Sequence, residues 1–381
     1  MKITIVQGFF LPMPPVAGGA MEKAWWSLAR IFAARGHEVV SISRTWSDWS
    51  DDEHLDGIHC RRIPGYAHTA SLPRNLLLDA CWGWRVLRHL PRADILVTNT
   101  VLLPALAPWL RPSAGRVVVN LNRMPKGQLR VYRRIARVQV PSAAVAAAVA
   151  TQSPRLVPIT RIFPNPVDLS VFPAVPPDQS GTRSPVRIGY IGRLHPEKGL
   201  DLLIEAARLL LNDTSLPAWT LTLRGPADIP RGGGGDAYVA RLKEQARPLA
   251  AAGRFSLEPP EFDATVLARH YADLDIFAYP SLAEIGETFG VAVAEAMAAG
   301  AVPIVSDLPC FQDLVTPGKD GLVFSRGDPA AAAQLAIGLA ELIQRPDHRR
   351  QLAQTARRRS EALGLEPVAE TMLADFNSLL P

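Results

Sequence analysis

The chain has 381 residues, too many for one ordinary core, so two domains of about 150–200 residues each are expected. Its 48% hydrophobic and 20% charged residues exclude extended disorder, and no run approaches the roughly 18 apolar residues of a membrane span. The net charge of +5 is unevenly placed: residues 1–180 carry 21 Lys and Arg against 11 Asp and Glu, the remainder 20 against 25. A basic first half suits a phosphate, an anionic glycan or a membrane surface, and equally a lobe with a basic solvated face. Cys60, Cys81 and Cys310 are far apart, with neither metal-ligand spacing nor a disulfide framework. A cytoplasmic protein is expected.

The first apolar run, Lys2–Val6, stops at Gln7-Gly8 and reads as a strand rather than a signal peptide. A helix is expected at Ala20–Arg35, with Trp25 and Trp26 as packing residues, then a strand at Glu38–Ser43. Trp46 and Trp49 follow in a polar loop, as half-buried anchors or as stacking surfaces for a sugar. Asp51-Asp52-Glu53 belongs to the same surface loop. Further on come a helix at Pro73–Leu90 and strands at Asp94–Thr98 and Arg116–Asn120. A helix at Lys126–Ala136 would line up Lys126, Arg130, Arg133, Arg134 and Arg137. Such a face suits phosphate-bearing lipid or anionic glycan, or is simply solvated.

From Pro164 through Pro173, Pro176, Pro177 and Pro185 the proline density reads as an inter-domain linker. The strand–helix series then restarts. Strands are expected at Val186–Ile191, Trp219–Arg224, Phe255–Glu258, Ile276–Tyr279 and Val302–Ser306. Helices are expected at Gly199–Leu211, near 236–252, 263–272 and 290–299, and from Asp328 onward. Arg231 through Asp236, with four consecutive glycines, reads as a flexible loop. Two doubly wound α/β domains follow from this alternation.

Two segments carry chemistry. In Tyr279 through Gly300 a strand ends, a polar loop follows, and a helix starts near Gly290. Glu287 precedes that helix and Glu295 lies eight positions later, roughly 12 Å along the axis. Carboxylates so spaced could accept from two separate diols, with the helix start between them suited to a diphosphate. In Gly189 through Gly199, Arg193 and Lys198 flank a glycine loop that also contains Gly192. A forked guanidinium and a compact ammonium suit the charge that grows on a leaving diphosphate. Neither segment fits the Walker or dinucleotide fingerprints.

On these residues the chain resembles glycosyltransferase family 4, whose fold is GT-B. The resemblance rests on Gly18-Gly19 with Arg35 through Val39, Pro164 through Asp168 with Phe172, Gly192-Arg193 with Lys198-Gly199, and Glu287 with Glu295. Pro303 through Val305 and Gly318 through Val323 add to it. It implies two Rossmann-like domains facing a central cleft: 1–170 for the acceptor, 171–363 for the nucleotide sugar, with a helix at about 364–380 packing back on the first. It also implies a retaining transferase that takes a UDP- or GDP-sugar and needs neither cofactor nor metal. Arg193 and Lys198 would hold the diphosphate, Glu295 the ribose and Glu287 the donor sugar. Gly192, Thr288, Phe289 and Gly290 would line the donor, and Gly19 would approach the diphosphate from the first domain.

The chain departs from the family in places. Many relatives have a His near the reacting centre, where this chain has Asn99, Asn120 and Arg123, which become the acceptor-side candidates. Leu308 through Gln312 replaces a Gly-Gly turn, and Arg224-Gly225-Pro226 replaces Gly-Asp-Gly. The expected partners are the nucleotide sugar, a glycan, glycolipid or small-molecule acceptor, and a membrane surface at the basic domain. No nucleic-acid-binding module is evident. The expected setting is cell-surface polysaccharide synthesis. The alternatives are a secondary-metabolite transferase, a GT-B sugar-nucleotide epimerase and a catalytically silent subunit.

Overall fold

The computed structural model describes residues 1–17, 19–69, 71–172 and 184–380. Gly18 and the linker prolines Pro173, Pro176 and Pro177 lie outside the described residues. The chain divides into two compact units, Met1–Pro166 with Leu365–Pro381, and Val167–Gly364.

The first unit contains β1 (Lys2–Val6), β2 (Glu38–Arg44), β3 (Asp52–Leu55), β4 (Ile58–Ile63), β5 (Ile95–Thr98), β6 (Arg116–Asn120), β7 (Arg137–Val140) and β8 (Thr160–Ile162). They order as β3-β4-β2-β1-β5-β6-β7-β8, parallel throughout except at the β3–β4 hairpin. From Ile3 to Val6, β1 is buried on both faces: Ile3 and Ile5 pack with one cluster and Val6 with another. On the first side, helix Ala20–Ala34 inserts Trp25, Leu28, Ala29 and Phe32, spaced along one face of the helix, and helix Leu365–Asn377 adds Phe376. Burying each large apolar side chain there stabilises the unit by about 1.5–3 kcal/mol. On the second side lie helices Leu72–His89, Leu103–Leu110 and Ala143–Gln152.

The second unit contains β9 (Val186–Ile191), β10 (Trp219–Arg224), β11 (Phe255–Glu258), β12 (Ile276–Tyr279), β13 (Val302–Ser306) and β14 (Leu322–Phe324). All its pairs are parallel, in the order β11-β10-β9-β12-β13-β14. β9 and β12 are neighbours although β10 and β11 separate them in sequence. The direction of winding reverses between them, and in such sheets ligands bind beyond the carboxyl ends of the strands at that point. The expected class, two doubly wound α/β domains, is the one observed.

Three expectations fail. Lys126–Ala136 is not a helix: a 3-10 turn at Gln128–Val131 gives way to irregular chain with bends, and Arg137 opens β7. Gly127 has a left-handed φ of 107°. Arg155 takes the main-chain oxygens of Arg130 and Tyr132 at 2.7 and 3.1 Å, which removes helical acceptors. Asp51-Asp52-Glu53 is not all loop, because Asp52 begins β3 and its carboxylate meets His59 across the hairpin at 2.7 Å. The glycines after Arg231 are not loose. Main-chain bonds run from Gly233 to Asp228 and from Gly234 to Leu194, and helix Gly235–Gln245 starts within the run.

Candidate functional site

The two segments singled out by sequence leave the sheet at adjacent strand ends, after β9 and after β12. Leu282 N–H donates to the Glu197 carbonyl at 2.8 Å, fastening one loop to the other. Gly199 permits this approach. Its φ is 68°, and a Cβ there would lie 2.1 Å from the Pro280 carbonyl oxygen, closer than any side chain allows.

Between the loops, Lys198 donates to both carboxylate oxygens of Glu287, at 3.0 and 3.2 Å. Both residues are buried. The Tyr279 hydroxyl is hydrogen-bonded to Glu287, and burial together with that carboxylate holds the phenol well above its ordinary pKa. Tyr190 stacks on Tyr279 with ring centroids 5.5 Å apart and donates to the Arg193 carbonyl at 2.8 Å. Arg193 is 41% exposed and held at two points, Gly232 O at 2.9 Å and Glu197 at 2.7 Å. The Glu197 carboxylate also lies 3.9 Å from Lys198. Two cations and two carboxylates thus form one connected group, with Arg193 facing solvent and Lys198 enclosed.

Beside this group, helix Val291–Ala299 begins at Gly290, which has a φ of 97° and packs on Phe311. The first N–H groups of a helix have no intrahelical partner and favour anions. Phe289 is buried, and Thr288 is half-buried. Glu295, half-buried on the helix, is hydrogen-bonded by Tyr271. Cys310, in the 3-10 turn Pro309–Phe311, is buried. Its thiol is pushed up to about 12, chiefly by burial, which disfavours the thiolate.

The structure brings Gly192, Arg193, Lys198, Glu287, Thr288, Phe289, Gly290 and Glu295 to the same edge of the second unit. Sequence reading missed Glu197, Gly232 and the tyrosines Tyr190, Tyr271 and Tyr279. Glu197 stands inside a motif already singled out. Tyr190, Tyr279 and Gly232 also stand in segments already singled out, but their contacts with Glu287 and Arg193 are not legible there, and nothing local marks Tyr271. A separate cavity of about 250 Å³, lined among others by Thr222, Arg224, Glu258 and His270, includes none of Arg193, Lys198 or Glu287.

The remaining candidates belong to the first unit. Gly19, with a φ of 92°, precedes helix Ala20–Ala34, and a Cβ there would lie 2.1 Å from a Glu22 carboxylate oxygen. Burial raises the Glu22 pKa, against the pull of its own N–H and of Arg123. Asn120, ending β6, accepts from the Trp25 indole at 3.1 Å and from Asn122. Asn99, just beyond β5, donates to Gln7 at 2.7 Å. Arg123 is exposed. Trp46 and Trp49 are half-buried under Arg44 and Arg62, as anchors of their loop.

With this geometry in place, residues 178–359 match the family model described as glycosyl transferases group 1. The chain is similar to glycosyltransferases in sequence as well. It is 25% identical to a phosphatidyl-myo-inositol mannosyltransferase of Mycobacterium leprae over 89% of this chain and 87% of that one. It spans about half the length of the first curated relatives it matches, 41% to 52% of each. Among solved structures, sucrose-phosphate synthase of Thermosynechococcus elongatus superposes with a TM-score of 0.77 at 21% identity, covering 99% of this chain and 98% of that one. Anabaena HepE in complex with UDP gives 0.72 at 20% identity, covering 99% and 100%. At such identities the superpositions establish the GT-B fold alone. The group 1 match covers β9 to β14, the unit that holds Arg193, Lys198, Glu287 and Glu295.

Proposed function

We propose that the chain is a retaining family 4 glycosyltransferase that moves a sugar from a UDP- or GDP-sugar to a hydroxyl of a glycan, glycolipid or small molecule. The observation that carries this reading is the buried Lys198–Glu287 pair beside Arg193, at the switch point of the second sheet. The second unit binds the donor and the first the acceptor, through Asn99, Asn120 and Arg123. The UDP in the Anabaena relative supports a uridine donor. A curated relative, a lipopolysaccharide core mannosyltransferase of Rhizobium meliloti, supports a setting in cell-surface glycan synthesis.

In this reading Arg193, Lys198 and the helix start at Gly290 neutralise charge on the departing diphosphate. The acceptor hydroxyl attacks the anomeric carbon from the side the diphosphate leaves, and its proton passes to a phosphate oxygen. The carbon–phosphate-oxygen bond breaks as the new glycosidic bond forms, so configuration is retained. Glu287 orients donor hydroxyls, and Glu295 the ribose. Glu287 already accepts from Lys198 and Tyr279, which favours a binding role over a nucleophilic one. No metal is assigned a step.

Thermal stabilisation by a panel of UDP-, GDP-, ADP- and dTDP-sugars tests the reading, with Glu295→Ala in parallel. One nucleotide class should raise the melting temperature, and the variant should respond less. No shift with any donor would point to a silent subunit. Donor turnover without an acceptor would point to an epimerase.

A further inference from the structure

The sequence between residues 58 and 167 contains 16 Arg and Lys but only two acidic residues, Asp79 and Asp94. Neither carboxylate offsets this charge at the surface, although Arg61, Arg62 and Arg137 pair with Asp52, Glu53 and Asp375 from outside the stretch. Asp79 is buried and accepts the N–H groups of Val101 and Leu102, while Asp94 is bound to the Lys2 N–H. The same stretch builds the second side of the first sheet, with helices Leu72–His89 and Leu103–Leu110 packed together there. The acidic Glu366 and Glu370 lie on helix Leu365–Asn377, which packs on the other side.

These two basic-side helices expose apolar side chains that a solvated surface does not require. Leu72, Leu76, Leu77 and Trp84 are 48–64% exposed, and Trp109 and Leu110 each 52%. Leu77, Cys81, Trp84 and Arg88 recur at helical spacing as one exposed stripe, whereas Trp82, Val86 and Leu87 fill the core. Arginines interleave with them. Arg134 lies 3.6 Å from the Trp109 ring centroid, Arg88 lies 5.6 Å from that of Trp84, and Arg130 and Arg133 are exposed beside Arg134. Amphipathic aromatic and leucine side chains beside Arg88, Arg130, Arg133 and Arg134, which make no ion pair among the described residues, match the headgroup region of an anionic bilayer.

We propose that this side of the first unit docks on an anionic lipid surface, with Leu77, Trp84, Trp109 and Leu110 entering the interface and Arg88, Arg133 and Arg134 meeting the phosphates. The contact is peripheral, since no helix among the described residues is long and apolar enough to cross a membrane. The proposal does not depend on the transferase reading.

The test is flotation of the full chain with two kinds of vesicle, phosphatidylcholine alone and phosphatidylcholine with about one-third phosphatidylglycerol. The chain should bind the anionic vesicles about tenfold better, and added salt should weaken that binding. Leu77→Ser/Trp84→Ser and Arg133→Ser/Arg134→Ser should each lower it about tenfold. Both variants alter exposed residues, so melting temperature and the nucleotide-sugar response should stay as in the parent. Absence of binding to anionic vesicles overturns the proposal and leaves an acidic protein surface as the alternative occupant. Binding that neither variant weakens overturns it as well.

Discussion

Lys198 and Glu287 are 89 positions apart in the chain, yet the lysine ammonium meets both carboxylate oxygens of the glutamate, at 3.0 and 3.2 Å, with only 4% and 10% of their side chains exposed. A buried pair of this kind contributes little net stability, because desolvation offsets most of the attraction, but breaking it strands a charge. Lys198→Met and Glu287→Leu should therefore each destabilise the protein by about 3–5 kcal/mol. The double variant should recover most of that loss while transfer stays abolished. Chemical denaturation beside a transfer assay measures both. Recovery of activity along with stability would reduce the pair to a structural role.

Gly199 joins the two loops that carry this pair. At a φ of 68°, with the Pro280 carbonyl in the way, Gly199→Ala must push the β9 loop off the β12 loop. Left-handed strain alone costs about 1–2 kcal/mol, and displacement adds to it. Melting temperature should fall, and nucleotide-sugar stabilisation should fall with it. A variant that melts lower but retains full donor response would show that the loops can separate without disturbing the site.

The core strands of both sheets were legible because buried parallel strands are continuous apolar runs bounded by turn residues, as in Lys2–Val6 and Val302–Ser306. Arg193, Lys198 and Glu287 stood out because each sits where such a strand meets a glycine-bearing loop. What stayed hidden depends on tertiary contact. The basic run after Lys126 has helical spacing, but Arg155, from another part of the chain, takes its carbonyls. The glycines after Arg231 look like slack, yet they bring Gly232 O to 2.9 Å from Arg193. No local signal distinguishes such a brace from a loose loop.

Asp79 offers a pH test confined to the first unit. Burial raises its pKa, and the N–H bonds from Val101 and Leu102 offset this only in part. The folded protein therefore holds the proton more tightly than the unfolded chain. The stability this group contributes is complete below the unfolded pKa and is lost as pH rises through the folded one. Asp79→Asn keeps an oxygen for the N–H groups and removes the titration. Its unfolding free energy should change less than that of the parent between about pH 4 and about pH 7. Parallel pH profiles would sink the assignment.

The proposed mechanism gives the diphosphate charge to protein groups, so chelation should leave transfer within about twofold of the untreated rate. A loss with EDTA that magnesium or manganese restores would require a metal-bound donor.

Arg193 separates positioning from mere charge. Its guanidinium uses one nitrogen on Gly232 O and another on Glu197, and the side chain as a whole is 41% exposed. A lysine there would keep the charge but could not hold both braces and still present a donor to phosphate. The ion pair itself is a partly exposed contact, worth at most about 1 kcal/mol, so Arg193→Lys should leave the melting temperature nearly unchanged. Transfer should nevertheless fall by about 10²-fold, the scale for losing one oriented donor to a developing anion. Glu197→Gln, which loosens the brace but keeps the guanidinium, should fall between the parent and Arg193→Lys. If Arg193→Lys is as active as the parent, the charge alone suffices, and the double anchoring has no part in the chemistry.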